Sequence, residues 1–373
     1  MSAKTKPKPF RADHVGSYLR PAKLQTARTQ NQAGLLSAEA LREIEDEHIT
    51  ALVRKQEAVG LKAVTDGELR REFFHTDFLQ QLDGVEITWG EFASKFRKDD
   101  GTEVGLRPPT MHVVAKIKHA KSIQGRDFDF LAKTTERAAK VTIPAPSMLH
   151  FRGGRDAISK EVYPDLEGFY RDLAEAYAEE AADLAARGCR YLQMDDTNLA
   201  YLCDPAIRAN TKARGDDPDA LTHLYCRLFN DAVAKRHGDM LLSVHLCRGN
   251  FKSAWVAEGS YEPVADILLN EMKVDSFFLE YDDERSGGFA PLRFLPKGKT
   301  VVLGLMSSKH AAVEAKDDIK RRIEEAAVYA PLDQLALSHQ CGFSSTSHGN
   351  DLSEADQWRK LERMVEVAQE VWG

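Results

Sequence analysis

Two rhythms of apolar and polar positions alternate along the chain. Short apolar runs near residue 13 and at 62–66, 141–143, 191–194, 241–244, 276–279, 300–304 and 334–338 have the length and composition of buried strands. Between them lie stretches whose apolar positions return every three or four residues, which predicts helices over 38–58, 128–139, 166–187, 220–236, 253–270, 313–329 and 354–371. Ser37 is placed to cap the first of these helices and Gly60 to stop it. From residue 84 to about 124 the period changes to two, as in Val85-Glu86-Ile87-Thr88-Trp89 and Met111-His112-Val113-Val114-Ala115. That stretch reads as antiparallel strands inserted into the main fold.

Strands that are apolar throughout and alternate with amphipathic helices predict a parallel sheet covered on both faces. Eight such strands are the number that closes a (β/α)8 TIM barrel. The competing open, doubly wound sheet carries a glycine-rich phosphate loop early in the chain. Here Gly153-Gly154 and Gly287-Gly288 lack the strand-to-helix setting of that loop. The expectation is one α/β barrel over residues 1–373 with a hairpin insertion near 84–124.

With 373 residues the chain is long enough for a large core, and 51 basic against 58 acidic residues leave a formal charge of −7. This balance excludes a dedicated nucleic-acid or membrane-surface binder. No apolar run approaches the roughly 18 residues of a membrane span, and the polar N-terminal residues lack the apolar core of a secretion signal. Five cysteines without framework spacing fit a reducing, cytoplasmic compartment.

In a barrel the active site lies at the C-terminal ends of the strands. The polar residues found there are His14, Ser17, Asp66, Glu68, Asp195, Asp196, His245, Cys247, Glu280, Ser307, Ser308, His339 and Cys341. Side chains two apart on a strand leave the same face, so His245 and Cys247 can close on one metal ion. With Glu280 and Cys341 they form a candidate Zn2+ set of nitrogen, thiolate and carboxylate donors. Two thiolates and a carboxylate leave the zinc at a net charge of about −1, which suits binding a substrate thiol and keeping it nucleophilic better than making hydroxide. The pair alone has a plainer reading, since buried cysteine also serves as a small hydrophobe and buried histidine as a backbone partner. Cys189, Cys203 and Cys226 fall on or beside helices and read as packing residues, and Asp282-Asp283-Glu284 as a solvated loop.

Taken together, Val15-Gly16-Ser17, Thr65-Asp66-Gly67-Glu68, Gln193-Met194-Asp195, His245-Leu246-Cys247, Glu280 and Cys341-Gly342 resemble the C-terminal catalytic barrel of cobalamin-independent methionine synthase. The likeness spans nearly the whole chain and is nearest to the short, single-barrel members. It implies a zinc-dependent methyltransferase of methionine biosynthesis that passes a methyl group from 5-methyltetrahydrofolate or its polyglutamate to homocysteine. By the same resemblance His245, Cys247, Glu280 and Cys341 hold the metal, while Gly16, Ser17, Glu68 and Asp195 hold the amino-acid substrate.

Three departures touch the donor and leave the metal set alone. Asp196-Thr197 stands where the family has Glu-Pro after its aspartate. Leu305-Met306-Ser307-Ser308-Lys309 replaces an Asp-x-His element tied to protonating the folate nitrogen, and His310 is out of register with it. The N-terminal barrel with which long members help bind polyglutamylated folate has no room in 373 residues. Alkyl transfer to another small thiol, as in coenzyme M opening an epoxide, and methyl transfer from a methylcorrinoid protein are therefore alternatives. A zinc hydrolase would act without an added thiol, and a metal-free binding protein would retain no zinc.

Overall fold

The computed structural model describes residues 7–88, 94–106 and 109–373. Trp89, at the end of one predicted strand, lies outside the described residues, as does the start of the polar N-terminal tail. Eleven strands are described: β1 (Ala63–Val64), β2 (Asp83–Thr88), β3 (Ser94–Arg97), β4 (Glu103–Leu106), β5 (Thr110–Lys118), β6 (Ala138–Pro144), β7 (Tyr191–Asp195), β8 (Leu241–Leu246), β9 (Ser276–Glu280), β10 (Thr300–Met306) and β11 (Leu335–His339). Seven of them form one parallel sheet in the order β1-β6-β7-β8-β9-β10-β11. Each strand after β1 pairs with its predecessor in this series and, apart from β1, is buried along all or most of its length, as expected when helices cover one face and the sheet curls around the other.

The eighth position is filled without a full strand. Ala12 makes a single parallel bridge to Leu337, with Asp13 N donating to Leu337 O at 3.1 Å. Toward β1 the contacts come from side chains, His14 Nε2 to Ala63 O at 3.2 Å and Thr65 Oγ1 donating to Gly16 O at 2.6 Å. Of the expected eight-stranded barrel the described residues form a curled seven-stranded parallel sheet, with a short extended segment between its two edges. Gly16, at φ 136°, ends that segment after a few residues, which leaves it too short for two ladders. A buried polar group inside the curl anchors it instead. Lys140 Nζ reaches Asp13 Oδ1 at 3.3 Å and His14 O at 2.6 Å, while Tyr191 Oη donates to Asp13 Oδ2 at 2.6 Å. Beside this group Val15, Phe278, Val302 and Ala336 fill the interior.

Helices pack outside. Ser37 Oγ caps the helix Ala38–Val59 by accepting from Ala40 N, and Gly60 ends it at φ 102°. Two further expectations need correction: the stretch expected to be helical over 253–270 becomes helical only at Glu262–Glu271, and helices Ala22–Gln32 and Pro205–Ala213 were not signalled by the apolar period. Residues 252 and 253 sit at positive φ, which a helix cannot accommodate. The insertion is two nested antiparallel pairs, β2 with β5 and β3 with β4. Its inner pair bends over the barrel mouth, where Arg97 and Trp255 exchange backbone hydrogen bonds of 2.8 Å and Phe96 packs on Phe251 with ring centroids 5.4 Å apart.

Candidate metal and substrate site

β8 runs into the barrel mouth with His245 as its penultimate residue and Cys247 one step beyond its end. After β11, Cys341 enters the same space, and one ligand atom from each of the three lies within 4.8 Å of the others. The two sulfurs are 3.7 Å apart. A tetrahedral zinc with bonds of about 2.3 Å to sulfur would separate two thiolates by about 3.8 Å, so these residues fit the ion. Both nitrogens of the buried His245 ring are without a hydrogen-bond partner of good geometry, which is costly unless something else engages them. The Cys247 thiol holds Cys341 well below the usual thiol range, against burial and helped by His245, while Cys247 itself is pushed up by the same contact. One thiolate is therefore favoured even without a metal.

The loops that aim these groups are fixed by hydrogen bonds. Asn250 Nδ2 and Ser308 Oγ both donate to Gly342 O, at 2.9 and 3.0 Å, and hold the turn that carries Cys341. Gly342 is required by crowding, since a Cβ there would sit 1.9 Å from Ser17 Oγ. The small residue lets this turn lie against Gly16-Ser17.

Glu280, expected as a fourth ligand, stands on the neighbouring strand with its carboxylate engaged elsewhere. Oε2 accepts from Arg248 N at 2.7 Å, Oε1 from Arg285 Nη1 at 3.0 Å, and Lys309 Nζ lies 3.6 Å from Oε1. Burial would raise its pKa, but Lys309, Arg285 and Arg248 outweigh burial and hold it at about 2. It remains close enough for its charge to act on both His245 and Cys247. Sequence reasoning missed Arg285 and Lys309. It also took the acidic run after β9 for a solvated loop, whereas Asp282 is largely buried and, by burial, pushed up to about 7. The missed signal was the pairing of this run with an arginine three residues on.

A cleft of about 680 Å3 opens from the metal ligands and is lined by Ser17, Glu68, Asp195, His75, Arg152, Tyr201 and the rings of Phe73, Phe74, Phe96 and Phe251, among others. Val15 and Ser17 line it on the side of the first segment, while Gly16 backs it and would meet Thr142 Cγ2 at 2.8 Å if it carried a Cβ. Glu68 holds a left-handed backbone at φ 55°, rare outside glycine, and this aims its carboxylate inward. Oε1 accepts from Thr142 Oγ1 at 3.0 Å, and Oε2 has no hydrogen bond. Asp195 Oδ1 accepts from Gln193 Nε2 at 2.8 Å. The neighbouring Asp196 does not share this role; its Oδ1 caps the turn Asn198–Tyr201 by accepting from Asn198 N at 2.7 Å. His75 is buried in the cleft wall with both ring nitrogens unbonded. Cys189, Cys203 and Cys226 pack in the core as expected.

Burial drives the Asp195 carboxyl up to about 7, opposed by His245 and reinforced by repulsion from Glu68; Glu68 is raised too, burial outweighing Arg71 and Arg20. A raised acid gives the ligand-free protein a stabilising contribution that is complete below the unfolded value near 4 and lost as pH rises through about 7. Asp195→Asn is therefore expected to raise the melting temperature at pH 8, by an amount equivalent to roughly 1–4 kcal/mol. The gain should vanish near pH 4. Thermal unfolding at the two pH values checks this, and an unchanged melting temperature at pH 8 would contradict it.

Among the described residues no helix is long and apolar enough to cross a membrane. Residues 10–370 match the family model described as the catalytic domain of the cobalamin-independent synthase. The chain is 44% identical over 366 residues to the uncharacterized protein YxjH of Bacillus subtilis, covering 98% of this chain and 95% of the relative. A crystal structure of a candidate vitamin-B12-independent methionine synthase from Listeria monocytogenes superposes with a TM-score of 0.78 at 37% identity, covering 98% of this chain and 99% of that one. Methionine synthase of Saccharolobus solfataricus is 24% identical over 364 residues, covering 94% of this chain and 92% of the relative.

Proposed function

Because the chain belongs to the cobalamin-independent methionine synthase family, a family of methyltransferases, we propose that it methylates the sulfur of homocysteine, with zinc as cofactor and a methylated folate as donor. The observation that carries this reading is the placement of a His-Cys-Cys cluster at the floor of a cleft that two buried acids, Glu68 and Asp195, also line. Zinc held by His245, Cys247 and Cys341, with Glu280 as a further donor, would supply an electron-rich centre that lowers the pKa of a substrate thiol yet leaves it nucleophilic.

The remaining work falls to the protein. Glu68 and Asp195 are ready to take up a substrate ammonium, which would restore both carboxylates to their charged form. Ser17, with the amide of Gly16 behind it, would receive the carboxylate of the same amino acid. Held at both groups, the substrate can direct only its sulfur toward the two cysteines, and this orientation is a large part of the rate. Phe73, Phe74, Phe96 and Phe251 line the mouth and keep water from the nucleophile. Arg285 and Lys309 keep the Glu280 carboxylate ionised, ready to serve as that further donor.

The stretch Ser307-Ser308-Lys309, which replaces the family's Asp-x-His, directs its lysine at Glu280, so another group must handle the leaving nitrogen. Methyl transfer from a methylcorrinoid protein finds no support among the relatives. The test is to supply zinc-loaded protein with homocysteine and 5-methyltetrahydrofolate, as monoglutamate and as triglutamate, and to follow methionine. Methionine formation that requires both substrates is expected; its absence with either donor, in protein that retains zinc, would contradict the proposal.

A further inference from the structure

The proposed reaction needs a second substrate, and one cationic side chain of the cleft has no task in holding the first. Arg152 follows the short helix Met148–Phe151 beyond β6. Its backbone is fixed, with Phe151 N donating to Ser147 O at 3.0 Å and Arg214 Nη1 donating to Phe151 O at 2.7 Å. Among the described residues its guanidinium makes no hydrogen bond or ion pair, and the residue is half-buried in the cleft wall. A half-buried guanidinium that faces a cleft without a counter-charge is available to an anion that arrives with a ligand.

Its position says which ligand. Arg152 lines both the cleft above the metal ligands and a second cavity of about 530 Å3. The second cavity runs beneath the start of β5 and is walled by Pro109, Thr110, Met111, Met148 and Leu149, a largely apolar lining with little to recognise except shape. In an amino acid the ammonium and carboxylate sit on one carbon, so an ammonium held by Glu68 and Asp195 keeps its carboxylate beside those acids. Arg152 is not part of that group: the cations acting most on Glu68 are Arg71 and Arg20, and those on Asp195 are His245 and Arg71. The charge of Arg152 is felt instead by His75 and Tyr201, on the other wall.

We propose that Arg152 is the carboxylate anchor of the second substrate, a carboxylate-bearing methyl donor whose methyl-bearing ring stands in the cleft above the metal ligands and whose tail turns toward the cavity beneath β5. A guanidinium takes a carboxylate through two parallel N–H···O bonds, which fixes direction as well as charge. The His75 ring, bare on both nitrogens and adjacent to Arg152, offers the donor a further polar contact at the junction of the two cavities. This assignment rests on the methyl-transfer reading and adds to it a place for the donor within a single barrel.

The experiment compares wild type, Arg152→Met and Arg152→Lys as metal-loaded full-length protein. 5-Methyltetrahydropteroyl monoglutamate is titrated by calorimetry, homocysteine is titrated separately, and melting curves verify folding. Arg152→Met is expected to raise the Kd for the pteridine about tenfold or more, a loss of about 1.4 kcal/mol or more, while that for homocysteine changes less than about twofold. Arg152→Lys should recover part of the loss, since lysine restores the charge without the fork. Unchanged pteridine binding in Arg152→Met, or an equal loss for both substrates, overturns the assignment. The parent reading is separated by a spectroscopic arm in which homocysteine is added to cobalt-substituted protein. A spectrum that does not respond, together with pteridine binding that depends on Arg152, would defeat methyl transfer to homocysteine and leave the carboxylate anchor standing.

Discussion

Cys247→Ala or Cys341→Ala is expected to strip the protein of zinc and abolish methyl transfer while the fold survives. The two buried sulfurs lie 3.7 Å apart, close to the separation that two thiolates on one tetrahedral zinc would have. If binding a thiolate-rich zinc is worth roughly 10–16 kcal/mol, removing one of four donors costs about 3 kcal/mol or more, a loss of affinity of a hundredfold or greater. The metal content of purified protein should fall from about one equivalent to below about a tenth under mild chelation. Cys226→Ala is the internal control, because this thiol is buried in the core among Leu and Phe side chains and has no link to the cleft. It should lower stability by roughly 1–2 kcal/mol with zinc intact. Zinc retained in both site variants would remove the cysteines from any metal role.

The second large effect is expected at the amino-acid end of the cleft. Glu68→Gln or Asp195→Asn leaves a substrate ammonium facing a neutral amide in a site without water, and breaking a buried charge pair in this way costs about 3–5 kcal/mol. The KM for homocysteine should rise by about two to four orders of magnitude, with metal content unchanged and the donor Kd within about twofold. The two substitutions should also be less than additive, since Glu68 raises the pKa of Asp195 and its removal lets Asp195 ionise more readily. Steady-state kinetics on both singles and the double variant decides the matter. A fall in turnover with KM for homocysteine unaltered would place these acids in the chemistry and not in binding.

Much of this arrangement was legible in the sequence because strands buried on both faces cannot hide their apolar runs. β6 to β11 were marked to within a few residues, and the rule that barrel chemistry sits at strand ends then gathered His245, Cys247 and Cys341. The first barrel strand was less legible, because it is held by one bridge and by the Asp13-Lys140-Tyr191 group, and no local pattern encodes hydrogen bonds to residues far along the chain. The grip on Glu280 was hidden for a similar reason. Arg285 and Lys309 are polar residues in loops, where charge normally signals solvent, and only the fold shows that both turn inward. His75 and Arg152 belong to loops with no periodicity at all. The insertion was visible as a change of period, but its closure over the cleft depends on Phe96 meeting Phe251 and Arg97 meeting Trp255 across a long stretch of sequence.

The central claim is that the cysteine-rich cluster presents a substrate sulfur for alkylation. X-ray absorption at the zinc edge, recorded on zinc-loaded protein before and after homocysteine, tests it most directly. The account predicts a first shell of two sulfurs from the protein, Cys247 and Cys341, that gains a third on adding homocysteine, with no gain when serine replaces homocysteine. A shell that keeps two sulfurs when homocysteine is saturating would contradict it.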